Sequence, residues 1–159
     1  MIMYRPIIAI ADENEQELVA DFLTQLDEES LTSVNAKTDR LFIQKAFDLL
    51  NVTPLNKLQD YTEITILVDG QARTKRYEII KPLGIKPIYE LRYAMNENEH
   101  IRFIFFPFLY KGVESYVFVK VFKKTLIPPV DETNTMRDLT YQMFLRVYKE
   151  PKLYLEGEE

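Results

Sequence analysis

The chain has no cysteine, a single histidine and only four glycines. Without cysteine there are no disulfides, no thiolate metal sites and no cysteine nucleophile, a composition that fits a reducing cytoplasm. With His100 as the lone histidine, a zinc site or a histidine-based triad would need unusual ligands or partners, and His100 is expected to sit in a turn. Gly70, Gly84 and Gly112 stand alone, and none has the spacing of a loop that cradles phosphates between a strand and a helix. Nucleoside-triphosphate chemistry is therefore not expected. Long apolar runs are also missing: the most apolar stretch, Phe103 to Leu109, is too short to span a bilayer and is broken by Pro107. The opening Met-Ile-Met-Tyr-Arg-Pro lacks the apolar segment and cleavage site of an export signal, so a soluble, cytoplasmic protein is expected.

What is present describes one folded domain over 1–159. The 159 residues are 47% hydrophobic, enough to bury a core, with charged residues well mixed among them. The net charge of -5 is a poor start for a nucleic-acid binder, because phosphates are neutralised by Lys and Arg. The distribution carries more information than the sum. Acidic side chains crowd Asp12, Glu13, Glu15, Glu17, Asp21, Asp27, Glu28 and Glu29 and the tail at Glu156, Glu158 and Glu159. Lys and Arg gather between Arg73 and Lys124, which leaves a local basic face open.

The periodicity gives a coarse order of elements. Tyr4 to Ala11 reads as a strand, and Asp12, with Glu15 and Gln16 nearby, reads as the cap of a helix whose apolar face is Leu18, Val19, Phe22, Leu23 and Leu26. After a polar break at Asp27 to Ser33, Leu41, Phe42, Ala46, Leu49 and Leu50 repeat the pattern and complete a helical hairpin ended by Pro54. The period then changes to two. Ile64, Ile66 and Val68 precede Asp69-Gly70, a hairpin signal, and the return strand runs from Arg73 to Ile80. Three strands follow, Ile88 to Met95, His100 to Leu109 and Val113 to Phe122, joined by the short turns Asn96-Glu-Asn-Glu99 and Tyr110-Lys-Gly112. A last helix opens after Pro128-Pro129, capped near Asp131, with Met136, Leu139, Met143, Phe144 and Val147 on its apolar side, and the end after Pro151 is expected to fray. The fold class is α+β: a mixed, mainly antiparallel sheet packed by an N-terminal helical hairpin and a C-terminal helix.

Chemistry-bearing residues fall on the strands. Acidic residues on the first helix read as a solvated face, and the aromatic run Phe103, Phe105, Phe106, Phe108 and Tyr110 reads as core ahead of base stacking. Arg92, Arg102 and the pair Lys123-Lys124 bring a cation towards the end of three neighbouring strands, which antiparallel pairing could gather into one patch. The plainer reading pairs Arg92 with Glu90, two residues away on the same face, and makes the lysines guards of a strand end.

The order of Lys81-Pro-Leu-Gly84, Ile88-Tyr-Glu-Leu-Arg92, Ile101-Arg-Phe-Ile-Phe-Phe106 and Val121-Phe-Lys-Lys-Thr125, followed by Pro128-Pro129 and a terminal helix, resembles the RelE/HigB toxin superfamily, in particular its phage-derived HigB-like branch. The matching words cover Lys81 to Pro129, and the hairpin at 61–80 stands where that family has a short connection. The resemblance implies a RelE-like fold and a toxin of a toxin-antitoxin pair, cutting mRNA on the ribosome by 2′-hydroxyl attack without a metal or other cofactor. Its partner would be an antitoxin of helix-turn-helix type. Carried over residue by residue, the resemblance gives Arg102 and Lys124 contact with the scissile phosphate and makes Tyr148 the helix-borne site residue. Lys81, Lys86, Arg92, Lys123 and Arg137 would then bind RNA. A catalytically inactive interaction module of the same ancestry is the alternative, and a virion assembly component a third.

Overall fold

The computed structural model describes residues 4–82, 86–95, 99–126, 129–130 and 132–156. Gly84, residues 96–98 of the expected turn, Pro128, the expected cap Asp131 and the final acidic residues Glu158 and Glu159 lie outside them. The chain runs β1 (Ile7–Ala9), α1 (Leu18–Glu29), α2 (Val34–Asn51), a 3-10 turn (Leu55–Lys57), β2 (Tyr61–Val68), β3 (Gln71–Ile80), β4 (Tyr89–Ala94), β5 (Glu99–Tyr110), β6 (Val113–Leu126), β7 (Pro129–Val130), α3 (Thr133–Lys149) and α4 (Pro151–Leu155). The strands form one sheet in the order β1-β6-β5-β4-β3-β2, with β7 pairing the end of β6. β1 runs parallel to β6 and the other pairs are antiparallel, so the class is α+β with a mixed, mainly antiparallel sheet.

Local chemistry sets the boundaries. Asp12 does not start α1. Its Oδ1 accepts from the backbone N–H of Asn14 and Gln16, forming a turn in which Glu15 takes φ 60, and the helix waits until Leu18. A short carboxylate satisfied by nearby amides favours a turn over a helix interior. Ser33 does cap α2, accepting from Ala36 N at 3.2 Å. The buried side of α2 is Phe42, Ile43, Ala46, Phe47 and Leu50, rotated from the expected stripe so that Leu41 is exposed and the larger Phe47 ring is inside.

Two hairpins have the same turn chemistry. Asp69-Gly70 (φ 51 and 79) and Lys111-Gly112 (φ 51 and 77) place both central residues at positive φ, the geometry that matches strand twist and that glycine adopts without strain. The strands also run further than the sequence pattern reads. His100 is not in a turn but inside β5, opposite Ala94 and Lys124, and β6 continues through Lys123-Lys124 to Leu126. Cross-strand pairing by β5 and β7 carries the backbone past those charges. The stretch expected to fray forms α4 instead. Pro151 presets the first helical turn, and Tyr154 and Leu155 pack on the core.

β5 is buried on both faces. Ile101, Phe103 and Phe105 point towards α1 and α2, where Phe103 meets Phe22, Phe47 and Phe118 at ring-centroid distances of 5.3 to 6.2 Å. Ile104 and Phe106 point towards α3, against Met143, Phe144 and Val147. Each such ring stabilises the fold by about 1.5–3 kcal/mol, so Phe103, Phe105 and Phe106 are core and cannot stack on bases.

A β-bulge interrupts this order. Ile104 pairs with Lys120 and Phe105 with Phe118, leaving Val119 as the extra residue of β6. The bulge puts Lys120 opposite Ile104 with 3% of its surface exposed, and its Nζ meets Asp12 Oδ2 at 2.9 Å and Glu13 Oε2 at 2.8 Å. This ion cluster ties the loop after β1 to the sheet. Burial pushes the Asp12 carboxyl up, but the Gln16 and Asn14 amides and Lys120 outweigh it and hold the group below its ordinary 3.8. Its contribution to stability is thus complete above that value and is lost as pH falls through the lower folded value. Replacing Lys120 by Met leaves the buried Asp12 and half-buried Glu13 carboxylates without their cation and should cost about 3–5 kcal/mol. Urea unfolding at pH 7 measures this; a loss under about 1 kcal/mol would show that the cluster does not hold the loop.

Candidate functional site

The polar side chains that converge do so on the α3 side of the sheet, at the margin of the part that α3 covers. Glu90, in β4, is 0% exposed, and three guanidiniums surround its carboxylate. Arg92 Nε lies 3.4 Å and Arg102 Nη1 3.6 Å from Oε1, and Arg137 Nη1 lies 3.8 Å from Oε2. Strand alternation explains the first two, because Glu90 and Arg92 share a face of β4 and Arg92 pairs directly with Arg102 on β5. Arg137 arrives from the first turns of α3 and also donates to the Ile88 carbonyl at 3.3 Å. Arg102 donates from Nη1 to Thr133 Oγ1 at the start of that helix.

Among the described residues, three guanidiniums share the Glu90 carboxylate, and Glu78 on β3 stands directly opposite Arg92. Like charges in a partly dehydrated site repel, by about 4 kcal/mol per pair at 4 Å for an effective dielectric constant of 20, so the guanidiniums depend on such carboxylates to stay close. Arg92 and Arg137 are partly exposed, whereas Arg102 is only 4% exposed and forms the floor. His100 and Lys124 continue the same face. His100 pairs with Lys124 and stands two residues from Arg102. Burial lowers the His100 pKa from 6.5, and Arg102, Lys124 and Arg92 lower it further against the opposing pull of Glu78.

The remaining sequence-predicted residues divide. Lys86 joins the margin of the face, with its Nζ 4.8 Å over the Tyr141 ring and 3.9 Å from Asp138, beside a cavity of about 360 Å³ lined by Pro82, Ile88, Asn134 and Arg137. Lys81 sits past β3, 3.7 Å from Asp60. Lys123 is on the opposite side of the sheet: it pairs with Ile101 and lines a smaller cavity with Asp39, Arg73 and Lys75. Adjacent strand residues point to opposite faces, so Lys123 and Lys124 cannot act together. Tyr148 is 72% exposed near the far end of α3, about 22 Å along the helix from Thr133 at 1.5 Å per residue. The structure therefore gathers Arg92, Arg102, Lys124 and Arg137, with Lys86 at the rim, and leaves Lys81, Lys123 and Tyr148 elsewhere.

Glu90 and His100 were the residues sequence reasoning undervalued. Glu90 was legible only as a neighbour of Arg92, since its contacts with Arg102 and Arg137 depend on strand and helix packing. Among the described residues no group of three or more His, Asp or Glu is arranged to hold a metal ion, and no helix is long and apolar enough to cross a membrane. Comparison with protein-family models, curated proteins and solved structures finds no match to this chain.

Glu90→Gln keeps the shape and removes the charge that the three arginines share. The expected cost is about 3–5 kcal/mol by urea unfolding, with part of the loss recovered when phosphate is added as a replacement anion. A variant as stable as wild type and indifferent to phosphate would show that the guanidiniums are not held by this carboxylate.

Proposed function

We propose that the protein is a RelE/HigB-type toxin, with a RelE-like fold, that cleaves mRNA on the ribosome through the cationic face between β4, β5, β6 and α3. The observation that carries this reading is the convergence of Arg92, Arg102 and Arg137 on the single carboxylate of Glu90, beside Lys124 and His100, in a chain whose overall charge is -5. Concentrating cations on one face answers the repulsion an acidic protein would meet at RNA, because local potential rather than net charge steers a polyanion into a site.

The chemistry asked of such a face is modest. When a ribose 2′-hydroxyl attacks the adjacent phosphate, negative charge grows on the phosphoryl oxygens, and fixed cations stabilise it without reorganising. Arg92, Arg137 and Lys124 would receive the phosphate, and Arg102, fixed by Thr133 and Glu90, would supply a rigid charge from beneath. Lys86 would guide the strand along the edge by α3. The distance of Tyr148 from this face gives it no part in the reaction. A helix-turn-helix antitoxin encoded beside this chain would silence it in the cytoplasm.

A second reading, a catalytically silent RelE-like interaction module, draws on the burial of Arg102 beneath Thr133. One experiment separates the two. Expression of the wild type should arrest growth and translation, and Arg102→Ala with Lys124→Ala should abolish the arrest by 100-fold or more in surviving colonies, consistent with loss of about 2.7–4 kcal/mol of transition-state stabilisation. If wild type and double variant are equally harmless, and the purified protein ignores ribosomes in co-sedimentation, the interaction module replaces the toxin.

A further inference from the structure

We propose that His100 takes the proton from the ribose 2′-hydroxyl, which makes it a catalytic residue of the cleavage proposed above; the inference rests on that reading. His100 stands in β5 on the α3 side, directly opposite Lys124 on β6 and Ala94 on β4, with Arg102 two residues along its own strand. Arg92 lies diagonally across on β4. Direct cross-strand neighbours have Cβ atoms about 5 Å apart and diagonal ones about 7–8 Å, so a phosphate held by Lys124 and Arg92 would lie within one nucleotide unit of the imidazole. Ala94, its direct partner on β4, is small and exposed. No other described residue on this face combines half-burial beside the cations with a side chain able to accept a proton near neutrality: Glu90 is sealed beneath the arginines, and Glu78 carries the balancing charge on β3.

The electrostatics suit the role. Burial comes first, then Arg102, with Lys124 and Arg92 adding to it and Glu78 on β3 opposing, and the net effect holds the imidazole neutral at pH 7. A neutral ring accepts a proton; its imidazolium would be costly among these cations until a phosphate brings negative charge. The base therefore becomes strong only when substrate is in place. In the step itself, the imidazole takes the 2′-hydroxyl proton, the 2′-oxygen forms a bond to phosphorus, and the bond from phosphorus to the 5′-oxygen breaks. The departing 5′-oxygen takes a proton from the Lys124 ammonium, which the imidazolium then restores. The products are a 2′,3′-cyclic phosphate and a 5′-hydroxyl end.

The test compares wild type, His100→Gln and Arg92→Ala on ribosomes programmed with mRNA, measuring single-turnover cleavage from about pH 5 to 8, ribosome co-sedimentation and thermal unfolding. Wild-type cleavage should rise with pH through the titration of the imidazole and then level off. His100→Gln should fall by about 10²–10⁴-fold and lose that rising limb while still co-sedimenting and melting as wild type does. Arg92→Ala should weaken co-sedimentation and keep the pH limb. A His100→Gln protein that is folded and bound but cleaves within threefold of wild type overturns this inference and leaves the ribonuclease reading intact. A folded wild type that binds ribosomes without cleaving at any pH overturns both. Should Gln fail to fold, His100→Asn, tested the same way and with imidazole added to restore cleavage, gives the same decision.

Discussion

Burial of β5 on both faces is the constraint from which the other features follow. A strand with Phe103 and Phe105 on one side and Ile104 and Phe106 on the other needs helices above and below, and the chain supplies α1 and α2 for one face and α3 for the other. α3 is a single helix over a sheet six strands wide along its main path, so it covers β5 and β6, reaches Ile88 and Glu90 at the start of β4, and leaves Arg92, Glu78 and Arg76 beyond it more exposed. Charged side chains that alternation sends to that face, such as Arg92, Glu78 and Arg76, therefore collect at the border between covered and uncovered sheet. At such a border a guanidinium is dry enough to be held by a buried carboxylate and wet enough to meet a ligand.

The same border explains how one residue can serve packing and chemistry. Glu90 is surrounded by core, and removing one partner from a buried ion pair is costly, so the arginines are fixed in position before any ligand arrives. Pre-positioned charge is what stabilises a transition state without reorganisation. On the far side of the sheet a parallel arrangement lines the smaller cavity beside Lys123. There the Tyr93 hydroxyl donates to Asp39 Oδ1 at 2.6 Å, and Lys75 Nζ reaches the same oxygen at 3.3 Å and the Met95 carbonyl at 3.1 Å. Burial first, and then the Asp39 carboxylate, push the Tyr93 hydroxyl well above its ordinary range, which keeps it a donor.

Much of this architecture was legible in the sequence, for reasons particular residues make plain. The period change after Pro54, the Asp69-Gly70 and Lys111-Gly112 turns and the apolar face of α1 are local signals, and each element forms close to where they lie. Errors came where a distant partner decided the outcome. Asp12 reads as a helix cap, yet Lys120 from β6 and two nearby amides claim its carboxylate. His100 reads as a turn residue because β5 starts with charged and polar residues whose pairing to β4 and β6 is not visible locally. Of the candidate site, the sequence left open that antiparallel pairing could gather Arg92 and Arg102, and the register of β4 on β5 sets them directly opposite each other. The separation of Lys123 from Lys124 follows from the same alternation, whereas the remoteness of Tyr148 depends on where α3 begins over the sheet.

The parallel pairing of β1 with β6 also orders events in time. Lys120 and Asp12 are 108 residues apart, and Arg5 and Glu114, which meet at the same edge, are 109 apart. Loops of that length close late, after the local hairpins β2–β3 and β5–β6 have formed. On a translating ribosome β1 emerges first and must wait for β6, so until then the edge of β6 that it will occupy does not exist. Docking of β1 is thus the step that converts a set of hairpins into the finished sheet, and the bulge that aims Lys120 at Asp12 makes that step selective for one register.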